Sequence, residues 1–118
     1  MLLVVDNGSI YTKQLTNFLT KKNILFRKST PYILELNSLE KYESIILSGR
    51  TKNDKKINEV NSKIINFSIK NDKKLLGICY GAEILALTLG GKLEKQNLFK
   101  KEMKQLKFYK IIYLQIIQ

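Results

Sequence analysis

The 118 residues contain no histidine. No imidazole is therefore present to act as general base, general acid or metal ligand. Cysteine occurs once, at Cys79, which excludes an internal disulfide and, with histidine absent, leaves no zinc-type donor set. No metal site and no cofactor are expected, and a lone free thiol fits a reducing cytoplasm. Tryptophan is missing and Pro31 is the single proline. No apolar run approaches the roughly 20 residues that cross a bilayer, so no membrane association is expected. The opening Leu2-Leu3-Val4-Val5 is short, lacks a basic lead-in and meets Asp6 at once, unlike a signal peptide. Nothing has the spacing of a phosphate-cradling G-x-x-x-x-G-K-[ST] loop.

What is present suits one small soluble domain: 44% hydrophobic and 26% charged residues. The net charge of +11 raises the question of nucleic acid. From Lys92 onward seven lysines face Glu94 and Glu102, while the remaining excess is spread over the first 91 residues. Only Arg27 and Arg50 are arginines, and Lys, Asn and Ile abound. That pattern reads as compositional bias ahead of a phosphate-tracking surface. A basic nucleic-acid binder remains the third-ranked alternative.

Strand-like and helix-like segments alternate over the first 91 residues. Leu2–Val5 reads as a buried parallel strand. The turn cluster Asp6-Asn7-Gly8-Ser9 follows, with Ser9 as a helix N-cap. Tyr11, Leu15, Phe18 and Leu19 then recur at helical spacing. Ile24-Leu25-Phe26 reads as the second strand, Ser29-Thr30-Pro31 as a break, and Leu34–Leu39 as a short helix. Ser44–Leu47 is the third strand, ended by Ser48-Gly49. Ile57, Val60, Ile64 and Phe67 mark an amphipathic helix closed by Asn71-Asp72. Lys74–Ile78 is the fourth strand, and Tyr80–Leu89 is a helix apolar on nearly every side, stopped by Gly90-Gly91. This order predicts an α/β fold, an open, mostly parallel, flavodoxin-like sheet with flanking helices. Residues 1–94 form the expected domain. Residues 95–118 read as a basic low-complexity tail and a candidate out-of-frame extension.

The strongest chemical signal is Gly77-Ile78-Cys79-Tyr80-Gly81, set between an apolar strand and an apolar helix. A nucleophile with glycines two positions to either side, entering a helix from a strand, is the pattern of a nucleophile elbow. The turn is so sharp that side chains at Gly77 and Gly81 would collide, and the thiol is aimed at a helix N-terminus, where negative charge is favoured. The plain alternative is a small buried thiol at a strand end. Ser48-Gly49 would lie beside the elbow beyond the carboxyl ends of the strands, where ligands bind in open parallel sheets, and its N–H groups could join that of Tyr80 in an oxyanion hole. Glu83, one helical step past the elbow, is a candidate substrate contact or a plain exposed carboxylate. Asp6-Asn7-Gly8-Ser9 reads as a capping turn ahead of a ligand site.

Val5-Asp6-Asn7-Gly8, Ile45-Ile46-Leu47-Ser48-Gly49 and Leu76-Gly77-Ile78-Cys79-Tyr80-Gly81 together resemble the class I glutamine amidotransferases over residues 1 to 94. The Asp6-Asn7-Gly8 start is most similar to the glutaminase subunit of archaeal-type GMP synthases; anthranilate and aminodeoxychorismate synthesis are the other open acceptor pathways. The resemblance implies that Cys79 attacks the side-chain amide of glutamine, that the backbones of Gly49 and Tyr80 hold the oxyanion, and that ammonia passes to a synthetase partner. It also implies a catalytic His-x-Glu pair in the family's C-terminal half, beyond the last residue of this sequence.

The chain departs from the family pattern in two places. Arg50-Thr51 stands where a second glycine and a proline are usual, so backbone strain is expected at Arg50. Ala82-Glu83 stands where His-Gln or Met-Gln is common. A cysteine thiol with no base beside it is only about 3% thiolate at pH 7. The expectation is therefore a truncated or frameshifted amidotransferase, weakly active or inactive alone, with an exposed sheet edge that invites oligomerisation. The competing expectation is a non-catalytic binding module that keeps the elbow as scaffold.

Overall fold

The computed structural model describes residues 1–89 and, as a strand, residues 111–114. The helix stop at Gly90-Gly91 and most of the 95–118 tail lie outside the described residues. The element order is β1 (Leu2–Asn7), α1 (Thr12–Lys21), β2 (Phe26–Ser29), a 3₁₀ helix (Leu36–Lys41), β3 (Ser44–Arg50), α2 (Lys55–Lys70), β4 (Lys74–Ile78), α3 (Tyr80–Leu89) and β5 (Ile111–Leu114). The strands lie in the order β2-β1-β3-β4-β5. β1 to β4 are parallel, and β5 adds antiparallel to β4 with Leu75 opposite Leu114. The expected open, mostly parallel α/β sheet is what forms.

Side chains alternate across a strand, so each central strand feeds two layers. Leu3, Val5, Ile45, Leu47 and Leu75 turn to one face and pack against the 3₁₀ helix, α2 and α3. Val4 and Ile46 turn to the other and are also buried. Right-handed crossovers carry α1 leftward from β1 and α2 rightward from β3, which places them on opposite faces. The carboxyl ends of β1 and β3 therefore meet where the chain direction switches, the usual position of a site in such sheets.

Several boundaries move from their sequence expectation: β1 runs on through Asp6 to Asn7, the short helix is a 3₁₀ helix at Leu36–Lys41 instead of Leu34–Leu39, and three further shifts have a local reason. β2 begins at Phe26 instead of Ile24. The end of α1 closes through Asn23, at φ 58°, with the Asn23 N–H donating to Thr20 O and the Ile24 N–H to Leu19 O. That closure consumes Ile24 and leaves Leu25 exposed. β3 does not stop at Leu47 but continues through Ser48 and Gly49 to Arg50, which pairs with Asn7 across a register shift in β1. Ser9 is not the cap of α1. That position is Tyr11, with no side-chain cap, and Ser9 Oγ instead accepts from the Tyr11 N–H at 3.1 Å. Along α1, Leu19 is buried whereas Tyr11 and Phe18 face solvent. No described helix is long and apolar enough to cross a membrane.

One buried polar network ties the strand ends to α2. Asn7 and Asn61 exchange side-chain amide hydrogen bonds at 3.0 and 2.8 Å. Asn7 Nδ2 also donates to Ser48 O at 3.0 Å, and its backbone N–H donates to Ser48 Oγ at 2.8 Å. Asn61 Nδ2 closes the set on Ile57 O at 2.7 Å. All three residues are buried, and removing one amide leaves its partner unsatisfied in a low-dielectric interior. Asn61→Ala is expected to cost about 2 kcal/mol of stability, read as a lower urea midpoint at unchanged slope. A midpoint equal to that of the parent chain would show the network to be without weight.

Candidate active site

The chain leaves β4 at Ile78 and enters α3 at Tyr80, so the whole change of direction falls on Cys79. Cys79 has φ 52°, in the left-handed region, at a cost of about 1–2 kcal/mol for a residue with a side chain. Tertiary packing imposes this conformation. A Cβ on Gly81 would stand 2.0 Å from the Leu47 carbonyl oxygen, and one on Gly77 would stand 2.5 Å from the Ala82 nitrogen. Both glycines let α3 approach β3 and β4 more closely than any side chain permits. The chain thus turns sharply from strand to helix at Cys79, between the two glycines, and Cys79 is exposed instead of buried in the core.

The sulfur-bearing residue sits at the N-terminus of α3. Its carbonyl accepts the Glu83 N–H at 3.1 Å, and the first-turn N–H groups have no acceptor within the helix. Beside it runs the end of β3. A Cβ on Gly49 would lie 3.5 Å from Cys79 Cβ and 3.6 Å from Ser9 Oγ, so Gly49, Cys79 and Ser9 are neighbours. The last pair between β3 and β4 is Leu47 with Gly77, and Gly49 projects past it. The structure therefore brings together Cys79, Gly49 and the first turn of α3 that begins with Tyr80. Glu83 is exposed and its side chain forms no hydrogen bond or ion pair with the described residues.

A second cluster, which the sequence pattern does not reveal, lies directly behind the elbow. The Arg50 guanidinium sits 4.0 Å from the centroid of the Tyr80 ring. Arg50 Nη1 donates to Asn58 Oδ1 at 2.6 Å and to Asn53 Oδ1 at 3.0 Å. The Tyr80 hydroxyl donates to the same Asn58 oxygen at 2.6 Å. Burial pushes the Tyr80 phenol above its ordinary pKa, an effect that the Arg50 charge partly offsets. The strain expected at Arg50 is absent: among described residues other than glycine, positive φ occurs only at Asn23, Asp72 and Cys79. Arg50 is a strand residue paired to β1, so no special backbone angle is required of it.

A cleft of about 330 Å³ opens beside this site, lined by Asp6, Asn7, Gly8, Thr30, Tyr32, Thr51, Lys52 and Ile57. Asp6 holds the turn after β1 by accepting from the Gly8 N–H and the Thr12 hydroxyl. Near the rim, the Tyr32 hydroxyl donates to Asp54, the residue whose carboxylate caps α2 through the Lys56 and Ile57 N–H groups. The Tyr32 hydrogen bond, then that of the Lys56 N–H, lowers the Asp54 pKa. The same bond to Asp54 raises the Tyr32 pKa. A depressed carboxylate pKa contributes stability above the ordinary carboxylate range and loses it as pH falls through the folded value. Among the described residues no three His, Cys, Asp or Glu side chains gather as a metal site.

Comparison with known proteins bears on this geometry. The family model described as glutamine amidotransferase class-I matches residues 3–112. A glutamine-hydrolysing GMP synthase of Petrotoga mobilis is 32% identical over 99 residues, covering 82% of this chain and 18% of the relative. The enzyme of the same description from Wigglesworthia glossinidia brevipalpis is 33% identical over 99 residues, covering 81% and 18%. The chain thus spans under a fifth of the length of these curated relatives. Among solved structures, one described as a GMP synthase subunit of Thermoplasma acidophilum superimposes with a TM-score of 0.62 at 25% identity, over 75% of this chain and 44% of that one. A glutamine amidotransferase from Thermotoga maritima gives 0.57 at 24% identity, over 75% and 42%, a likeness of fold.

The glycine contacts can be tested separately from any chemistry. Gly81→Ala forces a methyl group against the Leu47 carbonyl and is expected to cost about 3 kcal/mol or more. Gly49→Ala meets only ordinary contacts, at 3.5 Å and beyond, and should cost less than about 1 kcal/mol. Denaturant titration of both variants checks the contrast, and equal losses would remove the steric account of the elbow.

Proposed function

The chain belongs to the class I glutamine amidotransferase family, and from that membership we propose that Cys79 is the nucleophile of a glutaminase reaction that feeds a GMP-forming synthetase. The observation that carries the proposal is the left-handed backbone at an exposed Cys79, held there by glycine contacts on both sides. A residue is kept in so costly a conformation only where the surrounding packing fixes it, and such positions gather at reactive sites.

In this reading the Cys79 thiolate adds to the side-chain amide carbon of glutamine. The carbonyl oxygen becomes an oxyanion held by the backbone N–H groups of Gly49 and Tyr80, which flank the sulfur from β3 and α3. Collapse breaks the C–N bond. Ammonia leaves with a proton, and a γ-glutamyl thioester remains on Cys79. Water then cleaves the thioester to glutamate and restores the thiol. Glu83, exposed on the first turn of α3, takes the role of a contact to a polar group of the substrate in this reading. Relatives described as glutamine-hydrolysing GMP synthases support a synthetase as the consumer of the ammonia.

Both steps need a proton carrier, and these 118 residues contain no histidine. Without an imidazole among these residues, proton transfer to the leaving nitrogen is slow. Assayed by themselves, these residues should release ammonia from glutamine at least about a hundredfold more slowly than a relative with a Cys–His pair, since such a unit loses orders of magnitude with either member. The missing imidazole also favours a second reading, a non-catalytic module that binds a partner and keeps the elbow as scaffold.

A chloroketone analogue of glutamine separates the two. The glutaminase reading expects stoichiometric labelling of Cys79, slowed by excess glutamine and lost in Cys79→Ala. Labelling no faster than that of a free thiol, and indifferent to glutamine, would leave the scaffold reading standing alone.

A further inference from the structure

Arg50 has an unusual set of partners for a half-buried arginine. Among the described residues it meets no carboxylate; the ion pairs there are those of Met1 with Glu43 and Lys63 with Glu59. Its planar face lies on the Tyr80 ring at 4.0 Å, and its donors go to two asparagine side chains, Asn58 and Asn53. Asn58 Oδ1 accepts simultaneously from the Tyr80 hydroxyl, and Asn58 Nδ2 donates to Asn53 Oδ1 at 3.2 Å. Three segments are thereby joined: the end of β3 through Arg50, the loop and first turn of α2 through Asn53 and Asn58, and the first residue of α3 through Tyr80.

We propose that Arg50 is a positioning residue that clamps the end of β3 onto the start of α3 and so fixes the spacing between the backbones of Gly49 and Tyr80. Gly49 immediately precedes Arg50, and Tyr80 is the residue on which Arg50 stacks. Any displacement of the β3 end away from α3 must open the contact between the guanidinium and the ring. A planar cation suits this task, because it stacks with one face and donates at its edge. Lysine keeps the charge and loses both the plane and the fork. The inference rests on the glutaminase reading for its chemical consequence, and on the ring contact with its hydrogen bonds for the clamp itself.

The test compares two reagents on Cys79. A chloroketone analogue of glutamine places its carbonyl oxygen where the oxyanion would form. Iodoacetamide alkylates the thiol by displacement of iodide and develops no oxyanion. Arg50→Ala is expected to slow chloroketone labelling about tenfold, while iodoacetamide labelling stays within about twofold. Arg50→Lys should recover no more than about a third of the parent rate. Hydrogen exchange should accelerate in residues 49–53 and 80–83 of Arg50→Ala and remain unchanged in β1.

An unchanged ratio of the two labelling rates in Arg50→Ala overturns the positioning role, as does full rescue by lysine. Unchanged exchange in residues 49–53 and 80–83 overturns the clamp. If glutamine gives the parent chain no protection against the chloroketone, the glutaminase reading fails, and exchange still decides the clamp independently.

Discussion

The structure turns on one backbone contact, the seating of Gly81 against the carbonyl of Leu47. No side chain fits there, because a Cβ would stand 2.0 Å from that oxygen. With α3 drawn so close to β3, the peptide between β4 and α3 has a single short route, and Cys79 takes the left-handed conformation that completes it. The helix that benefits is almost wholly apolar, with Ile84 and Leu85 buried against the sheet. Burial of two such side chains is worth several kcal/mol, roughly 1.5–3 each, and outweighs about 1–2 kcal/mol of strain at one residue. The elbow is thus a consequence of packing, with the thiol displayed at its apex.

A second constraint holds the facing strand. β3 continues past its last β4 partner because Asn7, Ser48 and Asn61 satisfy one another in the interior. A strand end with no such anchor frays, and its backbone groups are solvated. Here the anchor keeps Ser48 and Gly49 in line, so that Gly49 lies beside Cys79. Arg50 then bridges forward to Tyr80. The two walls around the sulfur are held by different physics, a buried amide network on one side and close backbone packing on the other.

Some of this is legible in the amino-acid sequence and the rest is hidden, for identifiable reasons. β4, α3 and the elbow follow from Lys74–Leu89 because the signal there is local: a short apolar run, paired glycines and an apolar helix. The mostly parallel sheet follows from strand–helix alternation, whereas the antiparallel β5 at its edge has no such signal. Asn61 is easily missed because polar side chains belong by default to the solvent face of a helix. It stands four positions after Ile57 and three before Ile64, on the buried stripe, and that placement is the available signal. Ile24 has the apolar side chain of a strand residue, whereas the closing hydrogen bonds of α1 decide its conformation. Arg50 suggests strain by comparison with a glycine, yet its backbone is ordinary strand. Its contacts with Tyr80 and Asn58 join residues 30 and 8 positions away and have no periodic signature.

These relations separate two properties that are usually found together in a cysteine amidase. Holding a thiol at the apex of an elbow, beside two backbone segments, needs only contacts among β3, β4 and α3, all within residues 44–89. Moving a proton needs a titratable group poised near neutral pH, and the chain has no histidine. The first property is enforced by folding stability, since loosening the elbow would also strip α3 from its place over the sheet. It therefore persists in any sequence that keeps Gly77, Gly81 and the apolar face of α3, whether or not a base is at hand. The second has no such protection, because a base contributes to the reaction and not to the core. The placement of Cys79 is for that reason set by Gly77, Gly81 and the Leu47 carbonyl, without reference to any group that moves a proton.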